Sequence, residues 1–390
     1  MKRSGRTGSL CLWLIAVVLV SSFLFISPLS FMAGKAFSPQ DIQPGDTGKK
    51  FRIAYCETRP YGNYAGTLYY IVQGLKHLEW VANVEGLPYQ WGQTDTKSMW
   101  DWLSSRDVGP KIEFVKDGYY SLNGDEAVTQ SVLQRLSQSQ DIDLIIVMGT
   151  IAAERIANDR HCVPVMVFST SNAVQSGIVS QTEYSGNEHI WAHMDPYRYR
   201  QQLEVFYDIF KFKKLGFVYD PSPAGQAFAG LADIKYVAAE KGFSIVGYEI
   251  QGTKGEQDQE RFAGDLLALH KKMANEVDAV YYTITPSPGL KPEKLGEILE
   301  PLYAKNIPVF SQLGEEEVRS GALLSVARAD FSGVGSFGAE QIVNVLRRQP
   351  VGTLPQVYAD APAIAINMAA AKKIGYKPPF DILLVADKVY

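Results

Sequence analysis

Small hydroxyl, amide and aromatic side chains recur where the predicted strands of this 390-residue chain end. Ligands of parallel sheets bind beyond the carboxyl ends of the strands, so the side chains of such loops converge on one edge. Hydroxyls, amides and aromatic rings there suit a small polar ligand. Any one loop could simply make a turn or cap a helix, but five loops of this composition favour a binding cleft. The candidate ligand-binding residues are Glu57, Tyr61, Asn63, Tyr64, Thr150, Ser169, Ser171, Asn172, Tyr219, Ser222, Gln226, Thr283, Thr285, Gln312 and Asp330.

The chemistry of these candidates suggests how they would divide a ligand between them. Hydroxyls beside helix N-termini suit an anionic end, carboxylates suit a cationic end, and aromatic faces suit the walls of a cleft. The anionic end would meet Thr150, Ser169 and Ser171, and the cationic end would meet Asp330 or Glu57. The walls would be Tyr61, Tyr64 and Tyr219.

Motifs for covalent catalysis are missing from the sequence. The chain contains no G-x-S-x-G, H-E-x-x-H or P-loop pattern. Glu57 or Asp330 could act as a general acid or base, yet nothing supplies a matching nucleophile. We therefore expect no catalytic residue, no cofactor and no enzymatic activity.

Two weaker motifs have plainer explanations. His189 and His193 are four residues apart, as metal ligands on a helix can be, but the flanking Ser-Gly-Asn and Asp-Pro argue against a helix that covers both. Residues 333–338 (GVGSFG) fit the dinucleotide pattern G-x-G-x-x-G. They lie late in the chain and do not open its first strand–helix unit, and glycines at a helix start explain them equally well. We expect no metal and no nucleotide.

The pattern of apolar residues predicts an α/β fold with two doubly wound lobes. Continuous apolar strands such as residues 143–148 (DLIIVM) alternate with helical stretches, which is typical of parallel strands buried on both faces. Residues 180–195 are polar and irregular, and the same strand–helix rhythm restarts after them. Two such runs indicate two similar lobes. Residues 85–110 interrupt the first run and are predicted to be a partly helical insertion.

The N-terminus has the layout of a secretory signal. Lys2, Arg3 and Arg6 precede an apolar run from residue 10 to residue 26, and small residues follow up to Ala36. Cleavage near Ala36 would release the protein into the periplasm. The alternative is a retained anchor, because about 20 apolar residues span a bilayer. We expect membrane contact only through such an uncleaved segment.

The net charge limits which molecules the protein is expected to bind. The formal charge is −4, and removal of residues 1–36, which carry four basic and no acidic residues, would make it −8. An acidic chain without a basic block argues against nucleic acid as a partner.

The two cysteines that follow the export segment are not expected to form a disulfide. Cys56 ends one predicted strand and Cys162 precedes another, so they would lie at opposite edges of a sheet; we expect both to be unpaired and buried. We expect a monomer.

Five collinear segments resemble a known family. Residues 212–222 (FKKLGFVYDPS) are similar to its KKLGVVYNPSE element, and residues 143–153 (DLIIVMGTIAA) to its DLIVAIGTPAA. Residues 163–179, 307–321 and 366–375 resemble further elements, so the likeness covers about residues 140–375. The family is the tryptophan-binding, TrpX-like group of ABC-transporter substrate-binding proteins, which have the type I periplasmic-binding fold. Where this family has Asp-Pro-Val and Thr-Asp-Asn, the chain has Asn172-Ala173-Val174 and Thr283-Ile284-Thr285.

The resemblance implies an extracytoplasmic solute-binding protein. It would close on a small polar ligand, such as an amino acid or a related compound, and deliver it to an ABC permease in the inner membrane. The predicted interlobe crossings lie near 175–195, 312–325 and 350–358. Lobe 1 would then contain 51–180 and 322–350, and lobe 2 would contain 190–318 and 355–390. A membrane-anchored sensing module without transport is the alternative, and a secreted hydrolase is a third possibility.

Overall fold

The computed structural model describes residues 49–252, 258–285, 292–328, 330–359 and 362–390. The predicted export segment, residues 1–36, lies outside these residues, as do residues 286–288 of one predicted ligand loop. Within the described ranges, no helix has the length and apolar character needed to cross a membrane.

The strands form two separate sheets, which confirms the predicted α/β class. The first sheet contains β1 (Phe51–Glu57), β2 (Ile112–Ser121), β3 (Leu144–Met148), β4 (Val165–Phe168) and β5 (Ile190–Ala192). Its order is β2-β1-β3-β4-β5, and all its pairs are parallel. The second sheet contains β6 (Lys214–Tyr219), β7 (Ser244–Glu249), β8 (Ala279–Tyr282), β9 (Val309–Ser311), β10 (Leu324–Arg328), β11 (Pro362–Ile366) and β12 (Lys388–Val389). Its order is β12-β11-β10-β9-β8-β6-β7, with β10 and β11 antiparallel.

Helices cover both sheets and bury the central strands. Every residue of β3 is buried, as expected for a strand that is covered on both faces. The helices of the first lobe are α1 (Gly62–His77), α2 (Thr96–Ser104), α3 (Glu126–Gln138) and α4 (Thr150–Ile156). Those that follow β5 are α5 (Arg198–Phe210), α6 (Pro223–Phe228), α7 (Leu231–Lys241), α8 (Gln259–Met273), α9 (Pro292–Tyr303), α10 (Glu315–Arg319), α11 (Ser332–Leu346), α12 (Met368–Lys373) and α13 (Phe380–Val385).

Two local predictions can be compared with these helices. The insertion at 85–110 is partly helical, as expected, because it contains α2, whose N-cap Asp95 accepts a hydrogen bond from the Ser98 amide. The sequence pattern of residues 226–241 predicts one helix, but the structure has two, α6 and α7. Gly230 has φ 66° between them, and a Cβ at this position would lie 2.9 Å from the Tyr199 ring. A left-handed residue that packs against a ring ends one helix before the next begins.

The strand β10 lies in the second sheet, although residues 322–350 were predicted in lobe 1. It pairs with β9 and β11, and the chain returns to the first lobe only with α11, which packs against α1. The second crossing therefore follows β10 rather than lying within 312–325. Likewise β5 belongs to the first sheet, so the first crossing follows residue 192. The apolar pattern of a strand predicts that the strand is buried, but it does not indicate which sheet the strand joins.

The crossing after β5 and the crossing before β11 run side by side. Gln356 is 0% exposed, and its Nε2 donates to the carbonyls of Gln181 and Thr182 at 2.9 and 3.0 Å. Its Oε1 accepts from the Ala192 amide at 3.2 Å. The indole of Trp191 donates to the Pro355 carbonyl at 2.9 Å. These bonds tie the crossing before β11 to the first lobe. Beyond β5, the Met194 amide donates to the Gln356 carbonyl at 2.8 Å and the Tyr358 amide donates to the Met194 carbonyl at 3.0 Å, so the two crossings pair through their backbones.

The two cysteines of the described chain are unpaired, as predicted. Cys56 is buried in β1, and burial raises the pKa of its thiol. Cys162 is exposed, which corrects the expectation that both would be buried. It lies in the loop between α4 and β4, and the buried residues begin only with the strand.

The glycines of the G-x-G-x-x-G stretch let α11 pack closely against α1, β4 and a crossing segment. They lie in α11, where a Cβ on Gly335 would come within 2.5 Å of the Tyr70 carbonyl carbon and 2.8 Å of the Ile71 amide nitrogen of α1. A Cβ on Gly338 would meet the Phe168 ring at 2.7 Å, and one on Gly333 would meet the Tyr358 ring at 2.8 Å. Close packing accounts for this motif without a nucleotide.

We predict that Gly335→Ala destabilises the protein, because the added methyl group must push α11 away from the α1 backbone. Overpacking of this kind typically costs about 1–3 kcal/mol. The matched control is Gly264→Ala in α8, where a Cβ meets open space and the higher helix propensity of alanine is worth up to about 1 kcal/mol. Urea denaturation should lower the free energy of unfolding for the first variant and raise it for the second. Equal effects of the two substitutions would contradict the packing role.

Candidate functional site

The carboxyl ends of both sheets meet at a cleft, which Tyr61 enters from the first lobe. Burial first, and then the Glu317 carboxylate of the second lobe, raise the pKa of the Tyr61 hydroxyl, while Arg198 of the second lobe opposes this shift. Tyr61 is nevertheless 39% exposed. A side chain that is both accessible and surrounded by protein from both lobes lies in a cleft rather than on the outer surface.

The first-lobe wall is built around Tyr64, which packs edge-on against Tyr61 with ring centroids 5.3 Å apart. Burial raises the pKa of Tyr64 to about 12. Its hydroxyl lies over Gly149, which has φ 91° and no Cβ to obstruct the ring. Thr58 stands beside it and accepts a hydrogen bond from the Ala152 amide at 3.0 Å, which fixes the start of α4. Asn63 is half-buried in the first turn of α1.

The predicted anion-binding hydroxyls are brought together at the ends of β3 and β4. Thr150 Oγ1 accepts from the Ser171 amide at 3.3 Å. Ser169 has φ 55°, and its Oγ lies 3.3 Å from Thr67 Oγ1. Asn172 Oδ1 accepts from the Gln175 amide at 2.9 Å. Several of these groups therefore shape the loops as well as line them.

A pocket between the lobes lies beside these loops. Ser171 and Asn172 line it from the first lobe, and Tyr199 and Asp233 line it from the second. The segment after β5 completes it, with His193 and Asp195 among its lining residues. A cleft that closes by a hinge motion needs residues of both lobes and of a crossing segment around it, and this pocket has all three.

The second-lobe wall carries Arg198 at the start of α5. Its Nη2 donates to the Tyr199 hydroxyl at 2.5 Å, and its guanidinium carbon lies 4.6 Å from the centre of the Tyr199 ring. Burial by itself would lower the pKa of Arg198, but Tyr199 and Asp195 outweigh this effect and raise it. The guanidinium therefore stays charged in a setting with little water, where it can attract an anionic group strongly.

Glu317 of α10 faces the same cleft from the second lobe. Burial raises the pKa of this half-buried carboxyl to about 7. Burial and then the Glu317 charge raise the pKa of Tyr282 at the end of β8, as they do for Tyr61. The cleft thus contains a cation and an anion on one wall and tyrosines on both.

Glu57 and Asp330, the two carboxylates that we predicted to meet a cationic ligand group, are both engaged within the protein. Glu57 is 0% exposed, and its carboxylate accepts hydrogen bonds from hydroxyls of Tyr55, Thr96, Tyr119 and Ser121 at 2.6–3.2 Å. Asp330 accepts from the Ser332 amide and hydroxyl at 2.8 and 2.6 Å, which satisfies the first amide of α11. Buried carboxylates are stable only when hydrogen-bonded in this way, so both have a structural task.

The predicted residues of the second lobe mostly hold its loops in shape. Gln312 Oε1 accepts from the Ile284 amide at 2.6 Å, and its Nε2 donates to the Phe228 carbonyl at 3.0 Å. Tyr219 donates to Glu249 at 3.1 Å. The others are Ser222, which caps α6; Gln226, which donates to the Pro221 carbonyl; Thr283, which donates to the Val218 carbonyl; and Thr285, which lines a small pocket beside His270.

Three cleft residues were missed by the sequence analysis, namely Arg198, Tyr199 and Glu317. Glu317 follows the predicted strand at residues 308–311 in the run GEEE, and a search for charges beside strand ends would have found it. Arg198 and Tyr199 follow residues 180–195, where no strand was predicted, so no strand end pointed to them. The histidines that we considered as metal ligands instead bond main-chain carbonyls: His189 that of Asn158 and His193 that of Tyr358. The described residues contain no group of three or more metal-ligating side chains.

We predict that Glu57→Gln destabilises the first lobe without abolishing the cleft. An amide is uncharged and its NH2 end cannot accept, so all four hydroxyls lose a charged acceptor and the two on one oxygen lose their acceptor altogether. The cost should be about 1–3 kcal/mol. The control is Glu113→Gln on the surface of β2, which removes an exposed ion pair with Arg52 and should cost no more than about 1 kcal/mol. Chemical denaturation checks this difference. If the two variants unfold at the same urea concentration, the structural role of Glu57 is wrong.

Comparison with known proteins agrees with this architecture. A tyrosine-binding protein of Clostridioides difficile (strain R20291) is 23% identical over 261 residues, which cover 67% of this chain and 70% of that protein. The structure of an ABC domain in complex with L-Trp from Streptococcus pneumonia has a TM-score of 0.60 at 16% identity and covers 87% of this chain and all of that one. A ligand-free, open substrate binding protein with adhesive properties from Clostridium difficile has a TM-score of 0.60 at 18% identity and covers 87% and 99%.

These structural neighbours confirm the two-lobed, type I periplasmic-binding architecture that the sequence predicted. Residues 104–390, well over half of the chain, match the family described as ABC transporter substrate binding protein. Its members bind ligands and are not enzymes. The chain belongs to the family of ABC transporter substrate binding proteins.

Proposed function

We propose that the protein captures an amino acid in the interlobe cleft, outside the cytoplasm, and delivers it to an ABC permease of the inner membrane. The observation that carries the proposal is the pairing of opposite charges with tyrosines in one cleft. Arg198 and Glu317 stand on one wall, and Tyr61 reaches towards both from the other. A zwitterion with an apolar or aromatic side chain matches that chemistry.

Two relatives support an aromatic amino acid as the first candidate. One is named a tyrosine-binding protein, and one was solved in complex with L-Trp. In this chain, Tyr61 and Tyr64 form a T-shaped pair at the cleft, and Tyr199 lies on the opposite wall. Aromatic rings pack edge-to-face or offset against one another, so these walls suit a ring.

Capture works by hinge closure. A ligand that touches both Tyr61 and Arg198 makes its full set of contacts only when the lobes approach each other. Such a ligand shifts the population towards the closed state by its differential affinity. The hinge would be the two crossing segments that pair at Met194 and Gln356.

The proposal predicts that an amino acid stabilises the purified protein. Ligand at 100 times its Kd adds about 2.7 kcal/mol to the free energy of unfolding. A thermal-shift screen of the twenty L-amino acids and of small organic acids should show the largest increase in Tm with tyrosine, tryptophan or phenylalanine. Isothermal titration should then show that Tyr61→Ala weakens binding at least tenfold.

Tyr184→Ala is the control for that substitution. Tyr184 is similarly exposed, at 49%, but precedes the start of β5 and thus lies away from the carboxyl edge. Its removal should leave the affinity unchanged. A screen in which no amino acid raises Tm would overturn the proposed ligand. Transport is tested separately: cells that lack the protein should lose uptake of that amino acid, whereas unchanged uptake would favour the anchored sensing module.

A further inference from the structure

Exposed apolar side chains are concentrated in the last elements of the second lobe. Phe380, Leu384 and Val385 of α13 are 74%, 70% and 58% exposed, and Val389 of β12 is 52% exposed. Within the described ranges, every exposed phenylalanine, leucine and methionine lies between residues 368 and 389. We call Met368, Phe380, Leu384, Val385 and Val389 the C-terminal patch. Exposed apolar groups that cluster in this way mark a contact surface.

The fold holds the C-terminal patch in place from its inner side. Ile382 and Leu383 of α13 pack against the core of the second lobe. The Met368 amide donates to the Tyr390 carbonyl at 2.6 Å, which fixes the start of α12 beside β12. The patch is therefore presented by ordered elements, and binding through it would need little further ordering of the chain.

The charges around the C-terminal patch are mainly positive. Residues 368–390 carry four lysines and two aspartates, a formal side-chain charge of +2, whereas the rest of the chain carries −6. Lys372, Lys377 and Lys388 are exposed. Lys373 pairs with Glu300 at 2.5 Å. The patch thus lies in a basic region of an otherwise acidic protein.

The acidic groups of this region have tasks within the fold. Asp387 Oδ2 accepts a hydrogen bond from the Ile364 amide at 2.8 Å. Asp381 lies in the first turn of α13, where a negative charge is favourable beside the unpaired amides of a helix start. Glu315 of α10 accepts from the Tyr390 hydroxyl. The lysines outnumber the aspartates, so the region as a whole attracts an anionic surface.

An anionic lipid surface fits the C-terminal patch better than a second copy of the chain does. Two copies that met at this patch would bring two regions of the same positive charge together. The edge strand β12 contains two residues, so it offers few backbone groups for pairing with another strand. At a bilayer surface, in contrast, apolar side chains enter the acyl boundary while lysines remain among anionic headgroups.

We propose that the C-terminal patch docks the protein on an anionic lipid surface. Phe380 and Leu384, one helical turn apart on α13, would enter the acyl boundary, and Lys377 and Lys388 would contact the headgroups. The contact is peripheral, because the described residues include no helix that could cross a membrane. It goes beyond the proposed function, and it adds a second membrane contact to the one expected of residues 1–36.

Co-sedimentation with lipid vesicles tests this docking. Residues 44–390 form one compact unit, so they can be tested without the apolar export segment. The vesicles consist of phosphatidylcholine, either alone or with about one third of the anionic lipid phosphatidylglycerol. A lysine near an anionic surface contributes about fivefold to partitioning. We therefore expect clear binding to the anionic vesicles, weak binding to phosphatidylcholine alone, and weaker binding to the anionic vesicles as salt is raised.

The apolar contribution is tested by the double variant Phe380→Ser/Leu384→Ser. It should bind the anionic vesicles at least tenfold more weakly than the unsubstituted protein, because two exposed apolar groups no longer enter the bilayer. The control is Trp91→Ser, which removes an aromatic side chain of the first lobe that is 55% exposed. This control should bind the vesicles as the unsubstituted protein does.

The charge contribution is tested by Lys377→Glu/Lys388→Glu. This variant should lose at least tenfold in binding to the anionic vesicles and should bind phosphatidylcholine no more weakly than the unsubstituted protein does. The control is Lys116→Glu on β2, an exposed lysine of the first lobe, which should leave binding unchanged. Because the substituted side chains of the patch are exposed, the Tm of each patch variant should stay close to that of the unsubstituted protein, which shows that it is folded.

The proposal is overturned if the protein does not sediment with the anionic vesicles, or if Phe380→Ser/Leu384→Ser binds them as tightly as Trp91→Ser does. It is also overturned if sedimentation velocity shows a dimer that Phe380→Ser/Leu384→Ser converts to a monomer, because a second copy then covers the patch. Binding of amino acids is measured in separate titrations, so the proposed function stands or fails independently of these results.

Discussion

The two lobes are connected where the crossing before β11 pairs with the crossing after β5, more than 150 residues away in sequence. The Met194 amide donates to the Gln356 carbonyl at 2.8 Å, and the Tyr358 amide donates to the Met194 carbonyl at 3.0 Å. The buried side-chain amide of Gln356 fixes this pair to the first lobe through three hydrogen bonds to backbone groups of residues 181, 182 and 192. A buried amide that lost these partners would carry a substantial desolvation cost, so the two segments are held as a pair beside β5.

The two carboxylates Glu57 and Glu317 show how differently the fold can surround one chemical group. Glu57 ends β1, and Glu317 lies on α10 after β9. Glu57 is surrounded by four hydroxyls that come from β1, β2 and α2, so its charge ties the insertion at 85–110 to the first sheet. Glu317 has no hydroxyl donors of this kind among the described residues; burial raises its pKa, and a backbone hydrogen bond of the same residue opposes that shift.

Local pattern was enough to predict much of the fold. The all-apolar run at β3 and the repeated strand–helix rhythm led to the α/β class and the two lobes, because burial on both faces leaves a clear mark on composition. It was not enough for β10, whose neighbours in the sheet are β9 and β11. It also missed the break at Gly230, which depends on the distant Tyr199 ring. Strand pairing and ring packing are long-range contacts, and a single sequence does not encode them in any local period.

For the site, the sequence by itself determined which loops follow the carboxyl ends of the strands, since parallel strands place those ends at one edge whatever the details of packing. It also predicted hydroxyls and tyrosines in those loops. Only the tertiary structure decided which polar groups remain available. Glu57, Gln312 and Thr283 spend their hydrogen-bonding capacity inside the protein, whereas Arg198 and Glu317 face the cleft. The reason is physical: whether a polar side chain is free depends on donors and acceptors that come from distant parts of the chain, and only folding brings them together.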